Sequence, residues 1–306
     1  MIQPPFLQTG DQVGILSTAR KISRTEIQPA IELLESWGLK PVVGKSIGVE
    51  ENQFAGNDQH RAADLQSMLD AKEIKAIWCA RGGYGTVRIL DRLDFSLFLK
   101  SPKWIIGYSD ICVLHAHLNL LGVQSLHAGM PTQIMDKSES TRKSLKNALF
   151  GKTLTYEIPT SSKNRYGKAE AELVGGNLSI IYSLLGSPTA LDTKGKILFL
   201  EDLDEYLYHL DRMMQNLKRN GLFKHVEGMI IGGMSDMRDN TREYGFATDN
   251  PYGKTALEII EESLSDYEFP VIFDFPAGHI DDNRALILGS KVFMETYAEK
   301  TQIHFC

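Results

Sequence analysis

Short apolar runs alternating with segments of helical periodicity predict an α/β fold. Trp104-Ile105-Ile106-Gly107-Tyr108 is apolar and partly β-branched, as a buried parallel strand is, and Ile111, Leu114, Leu118 and Leu121 follow it at helical spacing. Upstream, Ile27, Ile31, Leu34 and Trp37 mark a helix over 26–37 that stops at Gly38, and Leu39 to Val43 resumes as a strand. Repeated units of this kind imply a parallel sheet covered by helices. With 306 residues the chain has room for two domains and a core that needs no staples.

Composition narrows the function classes. The formal charge is −6, and no window collects the Lys/Arg cluster of a nucleic-acid footprint, so neither nucleic acid nor an anionic membrane is the expected partner. No apolar run approaches the ~20 residues that cross a bilayer, and residues 1–11 lack a basic start and a long hydrophobic region; the expected location is cytoplasmic. Cys79, Cys112 and Cys306 are an odd set without metal-site spacing. The first two lie in apolar runs and are expected to be buried thiols in a reducing compartment.

In chain order, Asp11 to Thr18 is a first strand ending in small polar residues, and a helix over 60–71 carries the apolar stripe Ala62, Leu65 and Leu69. Ile74 to Ala80 is a core strand that runs into Arg81-Gly82-Gly83-Tyr84-Gly85. A helix over 87–93 leads to the strand at Trp104, so two successive strands bring small-residue turns to one carboxyl edge, where ligand sites of open α/β sheets lie. Further on come a short strand over 123–127 and a helix over 138–149. The polar run 151–167 is the expected linker between a domain over 1–150 and one over 168–306.

In the second part, an extended segment over 169–177 precedes a helix over 178–185, and Lys196 to Leu200 is a strand that delivers Glu201. A helix over 208–220 turns Leu210, Met213, Met214 and Leu217 inward, with the methionines as core filler. Strands over 226–231 and 271–275 flank a helix over 256–264. A last strand pair, 285–288 with 292–297, is expected to turn at Gly289-Ser290.

Three of these strand ends present an isolated reactive residue: Ser109, Glu201 and His279. A serine hydroxyl needs an adjacent base, histidine suits that task, and a carboxylate across the ring fixes the tautomer. Each residue also has an inert reading. Ser109 suits a helix N-cap, Glu201 a solvated strand end, and His279 a loop residue bonded to Asp281. The G-x-S-x-G elbow pattern is incomplete, with Ile111 in place of the second glycine. Gly82-Gly83-Tyr84-Gly85 lacks the lysine of a P-loop and the spacing of a dinucleotide fingerprint; it is either a tight turn or an anion-facing set of N–H groups. Arg81 is an anion clamp or the partner of a surface acid. His115 and His117 point in different directions on one helix, and the acidic run Glu201, Asp202, Asp204, Glu205 has no EF-hand pattern, so neither metal nor cofactor is expected.

Taken together, Ala76 to Gly85, Ile106 to Ile111, Gly175-Gly176-Asn177-Leu178-Ser179, Leu198 to Asp202, Asp211-Arg212-Met213 and Gly278-His279 with Asn283 and Gly289 resemble the LD-carboxypeptidase family of serine peptidases. That family includes muramoyltetrapeptide carboxypeptidases and microcin C immunity relatives. The blocks span nearly the whole chain in the family's order. Departures fall at Arg284 to Gly289, at Cys112 and at Met130-Pro131-Thr132, beside the proposed catalytic groups and not on them.

The resemblance implies a flavodoxin-like or Rossmann-like N-terminal domain carrying the serine, a C-terminal mixed α/β domain giving acid and histidine, and an active site at the domain interface. It implies Ser109 as nucleophile, Glu201 as carboxylate, His279 as general base and acid, and the N–H groups of Gly83 and Asp110 as oxyanion hole. Arg81 is the candidate for the substrate's free carboxylate, with Tyr84 and Asn177 lining the pocket. The implied substrate is a murein tetrapeptide that loses its terminal D-alanine during cell-wall recycling, and the implied assembly is a homodimer. The alternatives are hydrolysis of a peptide-nucleotide or other toxic conjugate, and a non-catalytic peptide-binding module.

Overall fold

The computed structural model describes residues 1–306 and divides into two compact units, 1–154 with 281–290, and 155–280 with 291–306. In chain order the strands are β1 (Gln12–Leu16), β2 (Lys40–Val43), β3 (Ile74–Cys79), β4 (Trp104–Gly107), β5 (Ser125–His127), β6 (Thr155–Ile158) and β7 (Gly167–Asn177). They continue with β8 (Lys196–Leu203), β9 (Gly228–Ser235), β10 (Val271–Ile272), β11 (Leu286–Leu288), β12 (Lys291–Tyr297) and β13 (Lys300–Phe305).

The first unit holds a sheet in the order β11-β5-β4-β3-β1-β2. Strands β2, β1, β3, β4 and β5 are mutually parallel, the flavodoxin-like order, and β11 closes the edge antiparallel to β5. Helices Arg24–Ser36, Asp58–Asp70 and Cys112–Leu120 make crossovers between these strands. The first is opened by a capping box between Ser23 and Glu26. Trp78 and Trp104 are fully buried, and their indole N–H groups donate to Gly129 O at 2.8 Å and Pro5 O at 3.0 Å. Cys79 and Cys112 are buried free thiols.

The second unit is built on a mixed sheet in the order β10-β9-β8-β7-β12-β13-β6. Its β7 to β10 half is parallel, and β12, β13 and β6 add antiparallel strands. Helix Leu207–Arg219 lays Leu210, Met213, Met214 and Leu217 against Leu198, Leu200, Ile231 and Ile260, so the methionines are core residues. No helix of the protein is long and apolar enough to cross a membrane.

The domain boundaries differ from the sequence expectation in two places. Residues 151–167 are no free linker: Thr155–Ile158 forms β6, paired antiparallel with β13, and Asn164 beyond it donates to Thr296 Oγ1 at 2.9 Å. Residues 281–290 belong to the first unit, and the expected hairpin of 285–288 with 292–297 does not form. Instead β11 pairs with β5, and its segment is pinned to helix Glu139–Leu149 where Asn283 N–H donates to Thr141 Oγ1 at 2.8 Å and Ala285 N–H to Ser144 Oγ at 2.9 Å. The two strands also differ in kind. Leu286 to Leu288 are all buried, as a strand covered on both faces requires, whereas β12 alternates between buried and open positions.

Candidate active site

Within the first unit, the turns after β1, β3 and β4 are tied into one carboxyl edge. Thr18 and Thr86 hydroxyls meet at 2.7 Å, and Thr86 N–H donates to Asp110 Oδ2 at 2.9 Å. Arg61, fully buried on helix Asp58–Asp70, donates to Gly85 O at 2.9 Å and Gly56 O at 3.2 Å, and also to Thr18 O and Asp58. Burial is the main influence on Asp110 and pushes its carboxyl upward from the usual carboxylate range, while the Thr86 hydrogen bonds pull the other way.

Ser109 stands on this edge in a strained conformation. Its φ is +62°, which a non-glycine residue adopts at a cost of about 1–3 kcal/mol and which recurs at functional sites. A short 3₁₀ turn, Ser109–Ile111, leads into helix Cys112–Leu120, and no serine side chain caps either element. The helix-cap reading of Ser109 therefore falls. The missing second glycine has a local reason, since Ile111 packs onto Gly107, where a β-carbon would lie 2.8 Å from Ile111 Cγ1.

The glycine turn after β3 packs against the same serine. A β-carbon at Gly82 would lie 3.2 Å from Ser109 Cβ, 3.3 Å from its Oγ and 3.4 Å from Asp110 N. Gly83 has φ +102°, and a β-carbon there would fall 2.6 Å from Arg20 Cδ and Nε. Arg81 is turned outward, 3.6 Å from Glu26 and 3.4 Å from Lys21 O. This is the surface-acid contact that one of the two readings of Arg81 foresaw. Tyr84 is 44% exposed, with its ring 6.0 Å from that of Phe54.

The second unit brings Glu201 and His279 together. His279 Nδ1 lies 2.6 Å from Glu201 Oε2, which also accepts the His279 backbone N–H at 3.2 Å. Ser235 Oγ donates to His279 O at 2.8 Å and steadies the same loop. Glu201 is fully buried within β8, beside a register shift against β9, so it is not the solvated strand end of the inert reading. The inert reading of His279 as a loop residue bonded to Asp281 does not account for this Glu201 contact. Gly278 makes that contact possible: with φ +105°, its β-carbon would lie 2.6 Å from Glu201 Oε2.

Behind this pair, burial raises the Asp202 carboxyl to about 7, with the neighbouring Glu201 charge acting in the same direction. Asn177 donates to Asp202 Oδ1 at 2.8 Å and accepts from Ile180 N–H at 3.1 Å. Asn177 is buried and braces the ends of β7 and β8 through these bonds.

Sequence reasoning singled out Ser109, Glu201 and His279 as candidates and passed over Arg20, Arg61, Thr86 and Ser235, which contact the turns and loops around them. Arg61 had a signal: it stands four residues before Leu65 on an apolar helix stripe, where a cation needs internal partners. Thr86, Ser235 and Arg20 had none, because their roles depend on contacts between segments distant in the chain.

Known proteins share this architecture. A family model described as the LD-carboxypeptidase N-terminal domain matches residues 13–128, and one described as the LD-carboxypeptidase C-terminal domain matches residues 170–294. A probable murein peptide carboxypeptidase of Bacillus subtilis is 36% identical over 98% of this chain and 93% of its own. The microcin C7 self-immunity protein of Escherichia coli is 26% identical over 94% of this chain and 92% of its own. The crystal structure of muramoyltetrapeptide carboxypeptidase from Oxalobacter formigenes superposes with a TM-score of 0.85 at 26% identity, covering 96% of this chain and 98% of that one. The matches to both domain models and the 36% identity along nearly the whole length establish the relationship: the chain belongs to the LD-carboxypeptidase family of serine peptidases.

Proposed function

We propose that the protein is a serine LD-carboxypeptidase that hydrolyses the L,D peptide bond of murein tetrapeptides and releases the terminal D-alanine. Ser109 Oγ attacks the scissile carbonyl while His279 Nε2 takes its proton. Glu201, bonded at 2.6 Å to the other ring nitrogen, holds the tautomer and stabilises the imidazolium. The N–H groups of Gly83 and Asp110 receive the negative oxygen of the tetrahedral intermediate, a contribution of about 3–4 kcal/mol per donor in comparable sites. His279 then protonates the departing amine, and water activated by the same ring releases the tetrapeptide's shortened acyl part from Ser109.

The observation that carries the reading is the buried Glu201 aimed at His279 Nδ1, an arrangement a loop histidine does not need for folding. The murein relatives in Bacillus subtilis and Oxalobacter formigenes support the substrate class. The family resemblance further supports a cytoplasmic homodimer, which light scattering would read as twice the 34.3 kDa chain mass.

The test is incubation with L,D- and D,D-linked muropeptides and product analysis by mass. The wild type is expected to release D-alanine only from the L,D bond, and Ser109→Ala to release none while melting like the wild type. Unchanged turnover by Ser109→Ala would remove this serine from the mechanism.

A further inference from the structure

A carboxypeptidase must read a free carboxylate three bonds from the carbonyl it attacks, so the cation that reads it has to stand within a side-chain length of the nucleophile. Around Ser109 the cations of the first unit are mostly committed. Lys21 pairs with Glu50 at 2.8 Å, Arg81 with Glu26, Arg88 with Asp58 at 2.9 Å, and Arg61 is buried among backbone carbonyls. Arg20 is different. Its backbone is fixed, since its carbonyl accepts from Ser17 Oγ at 2.7 Å and it bridges to Phe54, but its exposed side chain makes no ion pair.

That side chain lies directly over Gly83, with Cδ and Nε 2.6 Å from where a β-carbon would be, while the adjoining Gly82 packs on Ser109. Arg20 follows β1 and Gly83 follows β3, so the two flank the point where the 2-1-3-4-5 strand order reverses. Open α/β sheets bind ligands in that crevice. An unpaired guanidinium is also the side chain best matched to a carboxylate, because its planar fork donates two parallel hydrogen bonds.

We infer that Arg20 binds the terminal carboxylate of the substrate and makes the enzyme an exopeptidase, an assignment that rests on the carboxypeptidase reading above. It is a specificity residue that touches the substrate and takes no part in proton transfer. Arg20→Ala and Arg20→Lys are compared with wild type on a murein tetrapeptide and on the same peptide with a C-terminal amide. Arg20→Ala is expected to lower the preference for acid over amide, as a ratio of kcat/KM, by about 10- to 100-fold, chiefly through KM on the acid. Arg20→Lys, keeping charge without the fork, is expected to fall between.

Equal losses on both substrates, no loss on either, or the selective loss appearing in Arg81→Ala instead would overturn the assignment. If the wild type cleaves the tetrapeptide and Ser109→Ala does not, such a result sinks the Arg20 role alone. A wild type that cleaves neither peptide would sink the function and this role together. The exposed position of Arg20 makes wild-type melting the expected fold control.

Discussion

At the scale of single residues, burial decides which groups are charged. His115, fully buried on the helix behind Ser109, has Nε2 at 3.0 Å from Gly107 O and Nδ1 at 2.8 Å from Ser125 Oγ. A carbonyl only accepts, so Nε2 carries the proton and Nδ1 accepts from the serine. Burial pushes this imidazole down to about 3, and the neighbouring His127 adds to the shift. A base with a depressed folded-state value stabilises the fold fully above its unfolded value near 6.5 and loses that contribution as pH falls toward 3. Urea midpoints are therefore expected to drop as pH falls below that unfolded value, and His115→Gln to flatten the drop. Parallel pH profiles for the two proteins would contradict this.

At the scale of elements, the carboxyl edge of the first sheet depends on a buried arginine reaching across turns. Arg61→Met would remove the guanidinium from the carbonyls of Thr18, Gly56 and Gly85, of which Gly85 would keep the Arg88 N–H at 3.1 Å, whereas Asp58 would keep the Arg88 side chain. The expected cost is about 3–5 kcal/mol in denaturant unfolding, the range for breaking one side of a buried charged network. A loss below about 1 kcal/mol would show that the turns hold without it. The same contrast explains what was legible in the sequence. Helices Arg24–Ser36 and Leu207–Arg219 and strands β3, β4 and β8 announce themselves by local periodicity, and so were placed within a few residues. Strands β6 and β13 were not placed, because each is an edge or near-edge strand whose half-polar alternation resembles a loop until its partner is known. β11 was found but paired wrongly: adjacency in sequence favoured β12, while full burial on both faces favoured the edge of β5. The candidate site was legible as three residue types, two of them near small-residue turns. The supports of those residues were not, since Thr86 on Asp110 and Ser235 on the His279 carbonyl are long-range contacts without a local pattern.

At the scale of the whole molecule, the chain passes from the first unit to the second after residue 154, returns at 281 and leaves again after 290. His279 stands two positions before that return, and Ser109 and the Glu201–His279 pair belong to different units. The account's central claim is that these groups act as one catalytic device, and it is tested most directly by the kcat of Ser109→Ala, His279→Ala and the double variant on an L,D-linked tetrapeptide. Residues that work as a unit are non-additive, so each single change is expected to remove about as much activity as both together, on the order of 10⁴- to 10⁶-fold. Losses that multiply in the double variant, or a single variant that keeps its turnover, would contradict the claim.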